Sequence, residues 1–452
     1  MHYARWSNKE ELAKILTPVI PEQNKTVSGI PMGYEGNTLY VNEETGHTLV
    51  IASQGSGKTQ ACMLPEIRLG IQTGKSLIVN DCKGELYELV SGELKERGYQ
   101  TIILDLDRLE RGNCWNPFTF PYDLYHAGKQ DLALELVEHI AHYIFAEPHY
   151  QGDPFWINTS IDYFTGLVLY LFENEKKENI TFRKIFTFSC ELQENKKGSD
   201  ISMAKELMDS LDHTSTIYMN LVGTLLAPPE TKGSILSVTN QKLKKYISRI
   251  QFSNMTACTD FDFKTIATEK TAVFMISGTS SYSSTFIPLF IDQAYQVIRL
   301  YNNKNHGTDI ILDEFDKLMP IVDFNNIASY ARGLSIRITA VIQSLQALTN
   351  LYGKEDAEII KLTFRNIIYL LSNNIETLEE ISKMCGNKEE HGMIIPLITV
   401  EELKMMKRFE AVILIPRMMP IKTKLLPDYQ MNWNFSNQKI EIPHIQKNNI
   451  SM

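Results

Sequence analysis

The chain has 452 residues, 43% hydrophobic and 22% charged, with a formal net charge of −9. That length exceeds one minimal core, so two domains are expected, with room for an insertion, in a folded globular protein. The acidic balance excludes a chain coated in basic surface, but not a local basic channel, because nucleic-acid binding depends on where the charge sits. Six cysteines (Cys62, Cys82, Cys114, Cys190, Cys258, Cys385) are scattered without a C-x-x-C pair, which reads as reduced thiols and not as a disulfide frame or zinc site. No run approaches the roughly 20 apolar residues of a membrane helix. The polar start MHYARWSNKEEL lacks an apolar signal region. The chain is therefore expected neither to span a membrane nor to be exported, with docking on a membrane protein left open.

Residues 1–46 read as a lead-in. Ser7 and Glu10 suggest a capping box for a helix from Asn8 to Leu16, and Pro18, Pro21, Gly29 and Pro31 then break the chain. The run Leu49-Val50-Ile51-Ala52 has the character of a buried strand. The turn Ser53-Gln54-Gly55-Ser56-Gly57 follows, then Lys58-Thr59, and a crossover helix is expected from Gln60 to Leu69. Strands over 76–81 and 101–106, with a helix over 85–97 between them, give a β-α-β-α-β rhythm that argues for a parallel sheet with helices on both faces. From about 125 to 250 the pattern turns helical. Leu132, Leu136, Ile140 and Tyr143 recur at helical spacing, Asp153-Pro154 opens a helix over 155–172, Lys196 to Asp200 and Pro228-Pro229 read as loops, and Lys232 to Arg249 reads as a long closing helix. The strand pattern then resumes at 271–276, 309–313, 336–343 and 366–371, with a helix over 286–300. Asn374 caps a further helix that Gly386 stops. Ala411 to Ile415 reads as the last strand, and the tail from about Asn432 as loose. The fold class is α/β, a P-loop NTPase with a mostly parallel central sheet plus an inserted all-α domain, divided as 1–124, 125–250 and 251–452.

Two stretches carry chemistry. Around Gly55 and Gly57 the backbone can turn its N–H groups inward, where side chains would block a phosphate. Gln54, Gly55, Ser56, Gly57, Lys58, Thr59 and Gln60 form the expected phosphate cradle. Lys58 reaches the β- and γ-phosphates, the Thr59 hydroxyl holds Mg²⁺, and a helix N-terminus adds its dipole. Ala52 stands where the first glycine of G-x-x-x-x-G-K-[ST] belongs. The second stretch, Ile310-Ile311-Leu312-Asp313-Glu314, presents carboxylates at a strand tip: Asp313 would order the Mg²⁺ shell and Glu314 would polarise the attacking water. The Lys58 and Asp313-Glu314 groups are expected to meet across adjacent strand tips. Gln343, ending the next strand, can bond a γ-phosphate or water, or be an ordinary polar strand end. Spacing alone leaves Arg332 open between a surface arginine and a group reaching a neighbouring subunit's nucleotide. Asp323 would cap the helix before it. Glu135, Glu138, His139, His142 and His149 suggest a solvated helical face before they suggest a metal site. The locally basic Asn240 to Arg249 reads as a solvated face with contact to DNA or acidic partners left open, and Ser277 to Ser284 as a loop, with a pore-facing role left open.

Taken in order, Tyr3-Ala4-Arg5-Trp6 after His2, Gly55-Ser56-Gly57-Lys58-Thr59, Asn80-Asp81-Cys82-Lys83-Gly84-Glu85-Leu86, Asn116-Pro117-Phe118, Asp153-Pro154-Phe155-Trp156, Leu312-Asp313-Glu314-Phe315 and Arg332-Gly333 with Gln343-Ser344 resemble the type IV secretion coupling proteins of the TraG/TraD/VirD class, a branch of the hexameric FtsK/HerA-type ATPases. Cys82 stands where that family commonly has proline. The resemblance implies a RecA-like nucleotide domain interrupted by an all-α domain, six subunits in a ring, and ATP hydrolysis with Mg²⁺ at subunit interfaces. It makes Lys58 and Thr59 phosphate and Mg²⁺ ligands, Asp313 and Glu314 the Walker B pair, Gln343 the γ-phosphate sensor and Arg332 a finger in trans. The implied partners are a relaxase or relaxosome, DNA, and the ATPases and inner-membrane components of a secretion channel. The implied location is cytoplasmic, peripheral at the inner face of the cell membrane. Family members usually begin with a transmembrane anchor, and this sequence begins where their cytosolic part does. Either an anchor-less form served by a separate membrane partner or a truncated one is expected. A DNA pump without a secretion role and a nucleotide-switched docking platform are the alternatives.

Overall fold

The computed structural model describes residues 3–23, 27–43, 46–147, 152–194, 202–302, 306–435 and 438–445. The chain forms two compact units. One comprises Met1–Ile103, Lys264–Ile287 and Ala294–Glu441; the other comprises Leu104–Phe263, Pro288–Gln293 and Ile442–Met452. The expected helical span 125–250 lies inside the second.

The first unit is organised on a nine-stranded sheet. In spatial order its strands are Ile421–Lys424, Glu410–Leu414, Asn366–Leu371, Thr48–Ala52, Ile336–Ile342, Thr308–Leu312, Ser76–Asp81, Thr271–Ile276 and Gln100–Asp105. The strands from Asn366–Leu371 through Thr271–Ile276 pair in parallel. Thr48–Ala52, Ser76–Asp81, Thr271–Ile276 and Ile336–Ile342 are buried along their whole length, as strands covered on both faces must be, hence their near-continuous apolar sequence. Two antiparallel strands finish one edge, so Glu410–Leu414 is followed by a further strand and is not the last. Glu410–Leu414 and Ile421–Lys424 alternate less cleanly in burial, as an edge allows.

A polar cluster ties the sheet to its first crossover helix. Arg337 donates to Asp309 at 2.6 Å and lies 3.6 Å from Glu66, and the Thr339 hydroxyl donates to Glu66 at 2.8 Å. Burial pushes the Glu66 carboxyl up to about 7 against the pull of Arg337. Such a network costs most when one member is removed, because the others are left buried and uncompensated.

The lead-in is more ordered than its sequence suggests. Its helix spans Lys9–Ile15, and the capping box is built by Asn8 and Glu11, not Ser7 and Glu10; the Ser7 hydroxyl instead donates to Met419 O at 2.5 Å. Thr17–Val19, Thr38–Val41 and Pro31–Glu35 form a separate three-stranded antiparallel sheet. Val19, Leu39 and Val41 pack there with Leu69 and Trp433. The start of the tail, at Trp433 and Phe435, is accordingly docked where it was expected to be loose. Arg68 bonds Glu93 at 3.0 Å and Asp428 at 2.8 Å, and its guanidinium lies 3.9 Å from the Phe435 ring centre.

The second unit is helical. Gln130–Phe145, Pro154–Asn174, Phe182–Glu191, Thr216–Leu225 and Pro229–Ile247 are its main elements. The Asp153 carboxylate accepts from Phe155 N–H, and Pro154 takes the first helical position, where a missing N–H costs nothing. Pro228-Pro229 likewise opens a helix and does not form a loop. The core is aromatic: Phe118 meets Phe182 at 4.9 Å, and Phe182 stacks on Tyr246 at 5.1 Å. Gly166 lets two helices close up, since a Cβ there would lie 2.7 Å from Leu221. No helix among the described residues is long and apolar enough to cross a membrane.

Candidate active site

The parallel strands bring their C-terminal tips to one edge, and the site is built there. Ala52 ends its strand in extended conformation, fully buried. That position needs no left-handed backbone, so alanine replaces the usual glycine without strain. The turn is fixed by Ser53 N–H donating to Leu371 O at 2.8 Å and Ser56 N–H donating to Ser53 O at 3.3 Å. Gly57 is the position where glycine is required. Its φ is 97°, and a Cβ would stand 2.4 Å from the Phe409 ring. Phe409 is held against the turn by its N–H donating to Ser56 O at 3.4 Å and its C=O accepting from Leu425 N–H at 2.7 Å.

Thr59, half-buried, opens the helix with a wide π-turn over Thr59–Met63 before the α-helix Leu64–Thr73. Among the described residues, the N–H groups of Gly55, Gly57, Lys58 and Thr59 meet no protein acceptor. The Ser56 hydroxyl and the Gln60 side-chain oxygen are buried without a partner. Buried polar groups rarely go unpaired, and a ring of unspent donors at a helix N-terminus fits an anionic phosphate. Gln54 and Gly55 are exposed at the tip of the turn.

Lys58 Nζ lies 2.6 Å from Asp313 Oδ1, although 255 positions separate them. Their side chains are 15% and 13% exposed, so water screens the pair only partly. The two strands carrying these groups were expected to be adjacent, and they are not. Ile336–Ile342 runs between them and delivers Gln343 to the same edge. Gln343 is half-buried; its N–H donates to Asp316 Oδ2 at 3.4 Å and its C=O accepts from the Ser372 hydroxyl at 2.9 Å. Burial raises the Asp316 carboxyl, and its other oxygen is unpartnered.

Asp313 is held from the adjacent strand by Asn80, whose side-chain N–H donates to Asp313 O at 2.6 Å. Glu314 sits in left-handed conformation, φ 50° and ψ 45°. Its N–H donates to Asp313 Oδ1 at 3.0 Å, and its carboxylate accepts from Lys317 at 2.5 Å. That contact raises the Lys317 ammonium above its ordinary range. One hydroxyl and one carboxylate, Thr59 and Asp313, suit a hard cation that keeps water and phosphate oxygens as its other ligands.

Arg332 lies elsewhere. It is exposed in the turn Arg332–Leu334 that precedes the N-terminus of Ile336–Ile342. Seven residues of strand, roughly 23 Å, separate it from the edge where Lys58 stands. The helix before it, Phe324–Ala331, starts at Asp323 in left-handed conformation with no side-chain cap, contrary to the expected cap. His139 is spent on Asp292 at 2.7 Å, no cluster of metal-ligating side chains occurs among the described residues, and His149 and Lys196–Asp200 lie outside them. In the basic stretch, Lys242 pairs with Glu147 at 2.5 Å. Ser277–Ser284 is in part helix: the Ser283 hydroxyl donates to Ser277 O at 2.6 Å where the helix Ser283–Tyr301 begins.

Asn80, Phe409, Asp316 and Lys317 escaped the sequence reading as site residues. Asn80 had a signal, an amide inside an otherwise apolar strand one step from its tip. Phe409 had none, since nothing local relates it to a glycine 352 positions earlier.

The bacterial conjugative coupling protein TrwBdeltaN70 shares the fold at a TM-score of 0.70 and 14% identity, over 98% of this chain and 96% of its own. TrwB in complex with the non-hydrolysable ATP analogue ADPNP matches at 0.70, with 14% identity over 98% and 97%. TrwB with ADP and Mg²⁺ matches at 0.68, with 14% identity over 97% and 96%. VirD4 of Agrobacterium fabrum is 23% identical over 425 residues, which is 86% of this chain but only 59% of VirD4. The family model described as type IV secretory system conjugative DNA transfer matches residues 4–390, and the chain belongs to that family.

Proposed function

We propose that this chain is an ATP-hydrolysing coupling protein that recruits a DNA–relaxase complex or protein substrate and drives it into a conjugative type IV secretion channel. The observation that carries the catalytic part is the 2.6 Å approach of Lys58 to Asp313 beside a turn in which the Gly55, Gly57, Lys58 and Thr59 N–H groups are unspent. Gly55, Gly57, Lys58 and Thr59 bind the phosphates through backbone N–H groups, Ser56 through its unpartnered hydroxyl, and Lys58 adds charge. Gln54 and Gln60 border the same cradle. Thr59 and Asp313 are the residues that would hold Mg²⁺, which when bound neutralises charge developing on the phosphoryl oxygens. Glu314 takes a proton from the attacking water, and Gln343, on the strand between, bonds the γ-phosphate or that water.

Arg332 stands at the opposite end of its strand from Lys58. That placement supports the reading of Arg332 as a finger for a neighbouring subunit's nucleotide in a ring, six copies being the family's expected number. The ADPNP and ADP–Mg²⁺ complexes of TrwB support ATP and Mg²⁺ as cofactors. Relaxase, DNA, channel ATPases and inner-membrane components are the proposed partners, at the cytoplasmic face of the membrane.

ATP turnover measured with and without single- and double-stranded DNA tests the reading. The purified chain should hydrolyse ATP with Mg²⁺, faster with DNA, and Lys58→Ala should abolish turnover. A chain that binds ATP but shows no turnover under any of these conditions would be a nucleotide switch.

A further inference from the structure

Two of the six thiols, scattered in sequence, meet in the helical unit. The segments 113–116 and 257–260 run side by side. Cys114 N–H donates to Asp260 Oδ2 at 3.1 Å, the Asn113 amide donates to Asp260 Oδ1 at 2.9 Å, and Asn116 N–H donates to the Thr259 hydroxyl oxygen at 3.0 Å. In return, Asp260 N–H donates to Cys114 O at 3.4 Å. This ladder brings the Cys114 and Cys258 thiols close enough for each to shift the other's titration. Cys114 is buried and Cys258 exposed, so one sulfur meets solvent and the other waits behind it.

The contact polarises the pair. The Cys114 sulfur, 3.9 Å from Asn254 O, also acts on Cys258 and brings the exposed thiol down to about 7, against the opposing effects of partial burial and the Asp260 carboxylate. The same contact, with burial, holds the Cys114 thiol well above the ordinary range. A thiolate is the reactive form of cysteine, and an exposed one with a resolving partner behind it is the arrangement that captures oxidants. The other thiols shift upward, with burial the leading cause: Cys62 beyond the ordinary range with Glu66 adding to it, Cys82 to about 12 with Asp313 adding to it, Cys385 to about 12, and Cys190 upward with Glu194 and Glu191 adding to it.

We propose that Cys258 and Cys114 are a thiol modification site for low-molecular-weight disulfides, with Cys258 attacking and Cys114 resolving. The Cys258 thiolate attacks one sulfur of the disulfide, forming a mixed disulfide and expelling one thiolate. Cys114 then gives up its proton to solvent and attacks the Cys258 sulfur, forming the internal bond and expelling the second thiolate. Two protein thiols are oxidised and one small disulfide is reduced to two thiols. The bond brackets the helices from Thr119 to Met255 and staples the helical unit near both its ends, independently of the nucleotide site.

The test uses the full chain treated with oxidised glutathione at pH 7.5, quenched by alkylation and mapped by mass spectrometry. The parent should give a Cys114–Cys258 linked peptide. Cys114→Ser should stop at a glutathione adduct on Cys258, formed at least tenfold faster than any adduct on the half-buried Cys190. Cys258→Ser should give no linked peptide. Iodoacetamide alkylation of Cys258 across pH should be half-maximal near 7 in the parent and move upward in Cys114→Ala, a shift that a merely structural pair would not show. The proposal is overturned if Cys190 reacts as fast as Cys258, if the parent never forms the linked peptide, or if the alkylation profile is indifferent to Cys114.

Discussion

Asn80 joins two strand tips through one hydrogen bond, from its amide to the Asp313 carbonyl. A net hydrogen bond of this kind contributes about 1–1.5 kcal/mol, which corresponds to roughly tenfold in rate if the carboxylate pair loses its aim. Asn80→Ala should therefore lower ATP turnover about tenfold while the thermal transition moves little; unchanged turnover would remove Asn80 from the site's support. Its neighbour Asp81 answers to pH. Burial raises the Asp81 carboxyl from its ordinary 3.8 to about 6, opposed by N–H donors that include Tyr87 at 2.9 Å. The folded chain thus keeps a proton that the unfolded chain releases near pH 4. Its contribution to stability is present below that pH and is lost as pH rises through about 6. Urea unfolding of the parent against Asp81→Asn should show the parent's relative stability falling by about 3 kcal/mol between pH 4 and 7. A difference that stays flat or grows with pH would contradict this.

The phosphate turn is held from outside its own strand and helix. Phe409, in the connection before Glu410–Leu414, the strand next to the edge, fills the space that a side chain at Gly57 would need. Phe409→Ala should loosen the turn, raising the KM for ATP about tenfold with kcat kept within twofold, as loss of a preorganised binding loop requires; an unchanged KM would make Phe409 mere core. This tertiary dependence also marks how far the sequence could be read. Strands such as Ser76–Asp81, Thr271–Ile276 and Asn366–Leu371 announce themselves because burial on both faces demands apolar residues throughout. The short strands of the lead-in, interrupted by prolines, and the exposed hairpin Asn387–Glu390 with Met393–Pro396 carry no such signature. Neither does the docked tail, whose Trp433 and Phe435 read as isolated aromatics until Arg68 and the small sheet come into view.

For the whole molecule, the order of strands was the feature least available from sequence. Lys58 and Asp313 do meet, but across an intervening strand that supplies Gln343, where adjacent strands were expected. The glycine turn and the acid-tipped strand were legible because their chemistry is local; their relative placement is topology, which no local pattern encodes. The same topology sends Arg332 away from its own subunit's Lys58, and that has a consequence for assembly. Arg332→Ala and Lys58→Ala chains, each inactive alone, should recover partial turnover when mixed, since some interfaces then pair an intact Lys58 with an intact Arg332. No recovery would remove Arg332 from the mechanism. The central claim, that the Lys58 and Asp313-Glu314 groups form a hydrolytic site with Glu314 as the base, is tested most directly by Glu314→Gln with ATP binding and turnover measured on the same preparation. Binding within a few-fold of the parent with turnover reduced by at least about 100-fold, the scale of a general-base loss, is the expected result, and turnover at the parent's rate would contradict it.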